Sequence, residues 1–182
     1  MFDLHLAYNH HAFHWWQLFS AHFIHYDAKH LTLNALALPL LIFLFPSKIK
    51  TVIYGCALAI LFIDGYLLLS SVQVYAGFSG VLYAIPGIKA GQDTFKKNWM
   101  SLSLILIVLC AYVFIFSPEQ HTNTSITWHA LKQSHLLGFL GGILAGVFNF
   151  FSRHESVLQA ETVTRRDAGV EPSGMILRRV SD

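Results

Sequence analysis

Long apolar runs constrain the fold of this chain more than any other feature. Five stretches are apolar over a length close to that of a membrane span: residues 31–45, 51–70, 79–95, 99–117 and 135–151. A bilayer core of roughly 30 Å needs about 20 apolar helical residues, and about 17 suffice when the helix ends snorkel. Because water is missing from that core, the backbone of each run must pair within itself, which predicts helices.

The composition fits a chain that lies mostly in a bilayer. Of the 182 residues, 54% are hydrophobic and only 12% are charged, which is more apolar than a soluble domain. We therefore expect an all-α, multi-pass membrane protein whose embedded domain covers residues 31–151. Cys56 and Cys110 fall in separate runs without metal-ligand spacing, so both are interpreted as packing residues. The net charge of +2 does not indicate a nucleic-acid partner.

The positions of lysine and arginine predict how the chain is oriented. Most of them lie between the first and second runs, between the third and fourth, or after the fifth: Lys48, Lys50, Lys89, Lys96, Lys97, Arg153, Arg165, Arg166, Arg178 and Arg179. The opposite side carries only Lys29 and Lys132. By the positive-inside rule the first set is cytoplasmic. Residues 1–30, 71–78 and 117–134 are then external.

Both ends of the chain lie outside the apolar runs. Residues 1–30 are predicted to be an external N-terminal segment and first loop, yet residues 1–13 are too short and polar for a signal peptide or a span. Either this segment is translocated unaided, or a first helix lies upstream of Met1; we favour the upstream helix. Residues 152–182 are polar and rich in turn residues, which predicts a disordered cytoplasmic tail.

A serine opens the third run, where a span should begin. In the stretch "GFSG", Gly77 and Phe78 precede Ser79. At 1.5 Å per helical residue, Lys89 and Lys96 lie about 15 and 25 Å further along, so Ser79 lies below the outer surface. The helix N-terminus there supplies unpaired N–H groups that favour an oxyanion. The alternative interpretation is a serine that only caps the helix.

A serine becomes a nucleophile beside a base, and His135 is placed to be that base. It begins the fifth run, which descends from the same side of the membrane as the third. Gly138, Gly142 and Gly146 follow at intervals of four, and their bare face permits close helix packing. If the neighbour is the Ser79 helix, serine and histidine come within hydrogen-bond reach. The alternatives are packing alone for the glycines and a boundary position for the histidine.

A second polar group lies at the outer end of the first run. His30 and Asn34 are four residues apart on one helical face, and both side chains can donate to an oxyanion. The neighbouring histidines are His10, His11, His14, His22 and His25. This histidine-rich stretch leaves a weak zinc site or a haem site as a rival interpretation. Haem is disfavoured because facing spans lack paired histidines.

Asp64 lies inside the second run, where an ionisable residue is costly and needs a partner. A tyrosine, a histidine or a loop amide could pair with it, or the carboxyl could stay protonated. The sequence does not identify which.

Together these motifs resemble the rhomboid family of intramembrane serine proteases. The match to the family's first external loop and second helix rests on Trp16, Phe19, His25, His30 and Asn34. "GFSGVLYA" is similar to the nucleophile motif, and "HLLGFLGG" to the last catalytic helix. The resemblance covers about residues 15–150 and implies a six-helix core. Five spans are predicted here, so the helix before the first loop is the one missing from this sequence.

The resemblance implies a Ser-His dyad that hydrolyses peptide bonds without metal or cofactor. Ser79 would be the nucleophile and His135 the base, with the ring of Tyr83 packed on the imidazole. His30 and Asn34 would hold the oxyanion, supported by Gly77 and Phe78. One departure is Gln17, which stands where the family usually carries an arginine that organises the external loop.

Within the family the sequence looks most like the rhombosortase group. Those bacterial inner-membrane enzymes are thought to remove a C-terminal sorting tail containing Gly-Gly from exported proteins. The resemblance thus implies a membrane-anchored protein substrate, a lipid surrounding and a site facing the periplasm. Two alternatives stay open: a catalytically inactive rhomboid-like protein that binds membrane segments, and a histidine-rich metal or haem protein.

Overall fold

The computed structural model of the protein describes residues 4–25, 27–94, 96, 98–100, 103, 106–107 and 132–167. The elements in chain order are a 3-10 turn at Leu4–Leu6, β1 at Tyr8–Asn9, α1 at Gln17–Ser20, α2 at Ala28–Leu44, α3 at Ile49–Leu69, β2 at Val74–Tyr75, α4 at Ser79–Leu82, α5 at Ala84–Thr94 and α6 at Lys132–Asp167. Most of the described residues lie in helices, as predicted, and two short strands stand among them. The chain forms two compact units, Met1–Asn149 and Phe150–Asp182.

Three of the predicted runs coincide with a single described helix each. α2 has 17 residues and α3 has 21, and the fifth run lies inside α6. By length and composition, Ile49–Leu69 and Gln133–Thr164 are the helices among the described residues that could cross a membrane, and Ala28–Leu44 is a shorter apolar helix. The fourth run, residues 99–117, lies largely outside the described residues, so the number of spans stays a prediction.

The third run, by contrast, is not one continuous helix. α4 ends at Leu82 and α5 begins at Ala84, with a turn at Tyr83 between them. Pro86 explains the break, because a proline ring inside a helix collides with the carbonyl four residues earlier, here that of Leu82. The third run is thus two helices joined by one turn residue, and a single span over residues 79–95 stays a prediction.

The helices expose many large apolar side chains, and their buried faces mix small, polar and apolar residues. The buried face of α3 repeats every four residues: Thr51, Gly55, Ala59, Ile63 and Leu67. Large apolar side chains point outward from α2, α3 and α6, among them Leu36, Phe43, Leu61, Leu69 and Phe148. An exposed apolar surface of this extent is expected where lipid rather than water surrounds a protein.

Residues 4–25 fold against the connection that follows α3. β1 pairs antiparallel with β2, with Tyr8 opposite Tyr75. The Tyr8 hydroxyl donates to the carbonyl of Leu67 in the last turn of α3, at 2.9 Å. Burial raises the pKa of Tyr8, which keeps it a donor. The predicted external segment is therefore a packed part of the first unit.

Gln17 holds the turn between β1 and α1. Its side chain is buried; the amide oxygen accepts from the His14 N–H at 3.1 Å, and the amide nitrogen donates to the His5 carbonyl at 3.2 Å. A neutral amide can do this inside the fold because both of its ends are satisfied. Gln17 thus organises this loop, at the position where the resemblance predicts an arginine.

The second unit differs from the predicted tail. α6 continues to Asp167, so the prediction of disorder is wrong for residues 152–167. Residues 168–182 lie outside the described residues, and the cytoplasmic location stays a prediction.

Candidate active site

The residues before Ser79 form a tight loop between β2 and α4. Gly77 has a φ of 129°, a backbone conformation that side chains disfavour. A Cβ at Gly77 would also lie 2.7 Å from the imidazole Cε1 of His30. The Gly77 N–H donates to the carbonyl of Ala21 at 2.9 Å. Glycine is thus required here for two reasons, and its backbone is held by the loop between α1 and α2.

Ser79 is the first residue of α4 and faces the start of α6. Phe78 occupies the N-cap position, so Ser79 is not the helix cap of the alternative interpretation. The Ser79 Oγ lies 3.0 Å from the Nε2 of His135, within the range required for proton transfer to a base. The structure therefore brings together the two residues that the sequence pairs as nucleophile and base.

The ring of Tyr83 stacks on the imidazole of His135. Their centroids are 4.6 Å apart and their planes differ by 16°. An aromatic contact of this kind contributes about 0.5–1.5 kcal/mol beyond area burial. This tyrosine is the turn residue between α4 and α5, so the break in the helix lies directly beside the candidate base.

The predicted glycine face of α6 lies against α4 and α5. A Cβ on any of the three glycines would overlap a carbonyl oxygen of the opposing backbone: Gly138 meets Gly80, Gly142 meets Ala84 and Gly146 meets Ile88. The neighbour of this face is therefore the segment that carries Ser79. Gly141 was not among the predicted residues; it lies on another side of α6, where a Cβ would be 2.7 Å from the Ala59 nitrogen of α3.

His30 and Asn34 lie beside residues 76–78, here called the nucleophile loop after the predicted role of Ser79, and they have different partners. The His30 ring packs on Gly77. Asn34 is only 8% exposed, and its Nδ2 donates to the Nε2 of His25 at 2.8 Å. The other ring nitrogen of His25 lies 3.2 Å from the Phe23 carbonyl, which can only accept, so that nitrogen carries the proton.

His25 is a site residue whose role the sequence did not reveal. Burial chiefly, and the nearby His30, lower the pKa of His25 despite its hydrogen bond to a backbone carbonyl. The neutral imidazole is therefore favoured, and it is the form that can accept from Asn34. The only sequence signal was the position of His25 within the family motif.

Asp64 pairs with His22, which answers the question that the sequence left open. The Oδ1 of Asp64 lies 3.0 Å from the Nε2 of His22, whose side chain is fully buried. Of the partner classes considered, the histidine is the one observed. The two residues are 42 positions apart, and no local pattern connects them.

A cavity of about 360 Å³ opens beside Ser79. Its polar lining comes from Asn34, Ser79 and Tyr83. The remaining lining residues are apolar: Ala37, Leu40, Leu41, Phe45, Leu82 and Pro86. Such a lining suits an apolar peptide segment whose backbone lies near the serine.

The rival metal interpretation gains nothing from this geometry. Within the ranges that the structure describes, no three His, Cys, Asp or Glu side chains are grouped to bind a metal ion. His22 and His25 are bonded to Asp64 and Asn34 instead, and His14 stacks on Trp16 with ring centroids 4.4 Å apart.

A family model of the rhomboid domain matches residues 12–151. The chain therefore belongs to the rhomboid family, a class of helical membrane proteins. Members of this family are generally intramembrane serine proteases that act on membrane-protein substrates within the bilayer. Neither curated proteins nor solved structures show a significant match to the chain. The family prediction is confirmed, and the rhombosortase subgroup stays a prediction.

Proposed function

We propose that the protein is an intramembrane serine endopeptidase that works through a dyad of Ser79 and His135. The observation that carries the proposal is the 3.0 Å contact between Oγ and Nε2. His135 takes the serine proton as Oγ attacks the scissile carbonyl, and then returns a proton to the leaving amine, which leaves an ester on Ser79. Water, deprotonated by His135, then attacks this ester, and the acid product leaves as Ser79 regains its proton. Tyr83 holds the imidazole in place by stacking. The scheme uses no metal or cofactor.

The oxyanion of the tetrahedral intermediate needs hydrogen-bond donors. We assign this role to the backbone N–H of Ser79 and the side chains of His30 and Asn34, with the Gly77-Phe78 turn as support. Asn34 has two amide hydrogens, and one of them is already directed to neutral His25. This bond orients the amide and leaves its second hydrogen for the oxyanion. Each such donor is typically worth about 3 kcal/mol of the reaction barrier.

The substrate is proposed to be a membrane-anchored segment of an exported protein. A helix hides its carbonyls in its own hydrogen bonds, so the cleaved segment must be extended near Ser79. Glycine weakens helices, which makes a C-terminal tail with a Gly-Gly sequence a suitable target. We place the protein in a bacterial inner membrane, with the site open to the periplasm.

The test is cleavage of an exported reporter that carries a C-terminal Gly-Gly tail and membrane segment. Ser79→Ala and His135→Ala should each abolish release of the reporter at unchanged protein level. Ser71→Ala is the matched control, because Ser71 is an exposed serine outside the site. Retained cleavage in either dyad variant would exclude the dyad.

A fluorophosphonate probe separates a protease from an inactive relative. The probe should label the wild type and the Ser71→Ala variant but not the Ser79→Ala variant. A wild type that binds the tail without cleaving it, and that the probe does not label, would instead be a non-catalytic binder of membrane segments. A reporter whose Gly-Gly is replaced by Leu-Leu tests the substrate assignment separately, and equal cleavage of both would contradict it.

A further inference from the structure

A line of buried hydrogen bonds connects α3 to the nucleophile loop, and the proposed chemistry does not use it. Asp64 on α3 contacts His22 at 3.0 Å. The Nδ1 of His22 lies 3.4 Å from the hydroxyl of Tyr75 on β2. That hydroxyl donates to the carbonyl of Gly77 at 3.0 Å. The line ends two residues before Ser79.

We infer that Asp64, His22 and Tyr75 are positioning residues that fix the peptide between Gly77 and Phe78. A glycine with a φ of 129° can adopt many other conformations, so the loop needs bonds from outside to hold one of them. The Gly77 N–H is held by Ala21, and its carbonyl is held by Tyr75. Because a trans peptide directs its C=O and N–H groups oppositely, fixing this carbonyl also fixes the direction of the Phe78 N–H.

The direction of the bonds explains why an acidic residue stands at the far end. Tyr75 gives its only hydroxyl hydrogen to Gly77, so its oxygen must accept from His22 Nδ1–H. A further proton then lies between His22 Nε2 and Asp64, and the pair is neutral overall whichever atom holds it. Without the carboxyl, no partner at Nε2 fixes this arrangement: a neutral His22 can also carry its proton on Nε2 and accept from Tyr75 at Nδ1, and the hydroxyl then turns away from Gly77.

Tyr75→Phe removes the hydroxyl that contacts both His22 and Gly77 and keeps the ring. Tyr8→Phe is a matched control, because Tyr8 lies opposite Tyr75 in the sheet. Tyr8 is 1% exposed and Tyr75 is 2%, and each hydroxyl donates to a backbone carbonyl, at 2.9 and 3.0 Å. The two variants lose equivalent bonds, but only one of them touches the nucleophile loop.

The first measurement is amide hydrogen exchange of peptides covering residues 76–79 in detergent-solubilised protein. Loss of one hydrogen bond should speed exchange about fivefold to tenfold in Tyr75→Phe, and less than about twofold in Tyr8→Phe. Asp64→Leu should reproduce the Tyr75→Phe result, because leucine can neither donate to nor accept from His22 Nε2. The double variant should exchange no faster than either single variant, since all three break one line. Equal exchange in Tyr75→Phe and Tyr8→Phe would overturn the inference, as would an Asp64→Leu variant like the wild type.

The second measurement is the rate at which a fluorophosphonate labels Ser79, and this part rests on the proposed function. Labelling should slow about fivefold to tenfold in Tyr75→Phe and stay near the wild-type rate in Tyr8→Phe. Faster exchange in Tyr75→Phe, together with a wild type that is not labelled, would uphold the positioning line and exclude the protease. A labelled wild type with equal rates in both tyrosine variants would uphold the protease and exclude the positioning role.

Discussion

Two regions hold the Ser79–His135 pair in place, and they do so by opposite means. α6 rests on α4 and α5 through glycines, backbone against backbone. The nucleophile loop is held by hydrogen bonds from residues 4–25 and from α3. In lipid, helices associate through close packing of small residues, whereas a loop with irregular backbone needs polar partners for its N–H and C=O groups. The pair depends on both.

The largest expected effect comes from filling the glycine contact. In Gly142→Leu the new side chain would overlap the Ala84 backbone, which cannot move as a flexible side chain can. We expect the free energy of unfolding to fall by on the order of 3 kcal/mol or more, and a fluorophosphonate should no longer label Ser79. Thermal unfolding in detergent measures the loss of stability. Gly65→Leu is the control, because no atom lies within 4 Å of a Cβ there; equal unfolding temperatures for the two variants would contradict the packing role.

The second largest effect is expected from breaking the His22–Asp64 pair, which supports the nucleophile loop. His22→Leu leaves the carboxyl of Asp64 without its partner in the interior, where the Asp64 side chain is 15% exposed. Removing one member of a buried pair typically costs about 3 kcal/mol. The double variant His22→Leu/Asp64→Leu should recover part of this loss, since no unpaired group remains. The free energies of unfolding of both single variants and the double variant test this coupling. If the losses of the two single variants simply add up in the double variant, the two residues are not coupled.

The smallest effect is a dependence on pH that arises at His25. Because its pKa is lowered in the folded protein, the unfolded chain, with a pKa of about 6.5, binds the proton more readily. Stability should therefore fall as the pH is lowered from about 6.5 toward the folded-state pKa. Comparing unfolding temperatures at neutral and mildly acidic pH in wild type and His25→Leu isolates this contribution. If the unfolding temperature of His25→Leu changes with pH as much as that of the wild type, the pH dependence arises from another group.

The sequence predicts the first region well and the second poorly. Glycines at 138, 142 and 146 are spaced four apart, and residues with this spacing lie on one face of a helix. The motif "GFSG" is likewise visible within four consecutive residues. His22 and Asp64 are 42 residues apart, and nothing in the spacing of distant polar residues shows which of them meet. Strands of two residues carry no period either.

Two departures from the predicted elements have visible causes in the sequence. Pro86 stands inside the third run and interrupts the helix. The apolar length of the run nevertheless favoured the prediction of one continuous helix. The composition of residues 152–182 as a whole predicts disorder, but the helix breakers Gly169, Pro172 and Gly174 all lie after Asp167. Residues 152–167 contain neither glycine nor proline, so α6 continues through them.

The order of the dyad along the chain determines when the site can exist. Ser79 precedes His135 by 56 residues, and the residues that hold the nucleophile loop are made earlier still. A chain growing on the ribosome therefore has its serine for about 3–11 s before its histidine is synthesised, at about 5–20 residues per second. The proposed proteolysis can therefore begin only after α6 has been made. Until then, Ser79 has no base and cannot cleave nascent membrane proteins nearby.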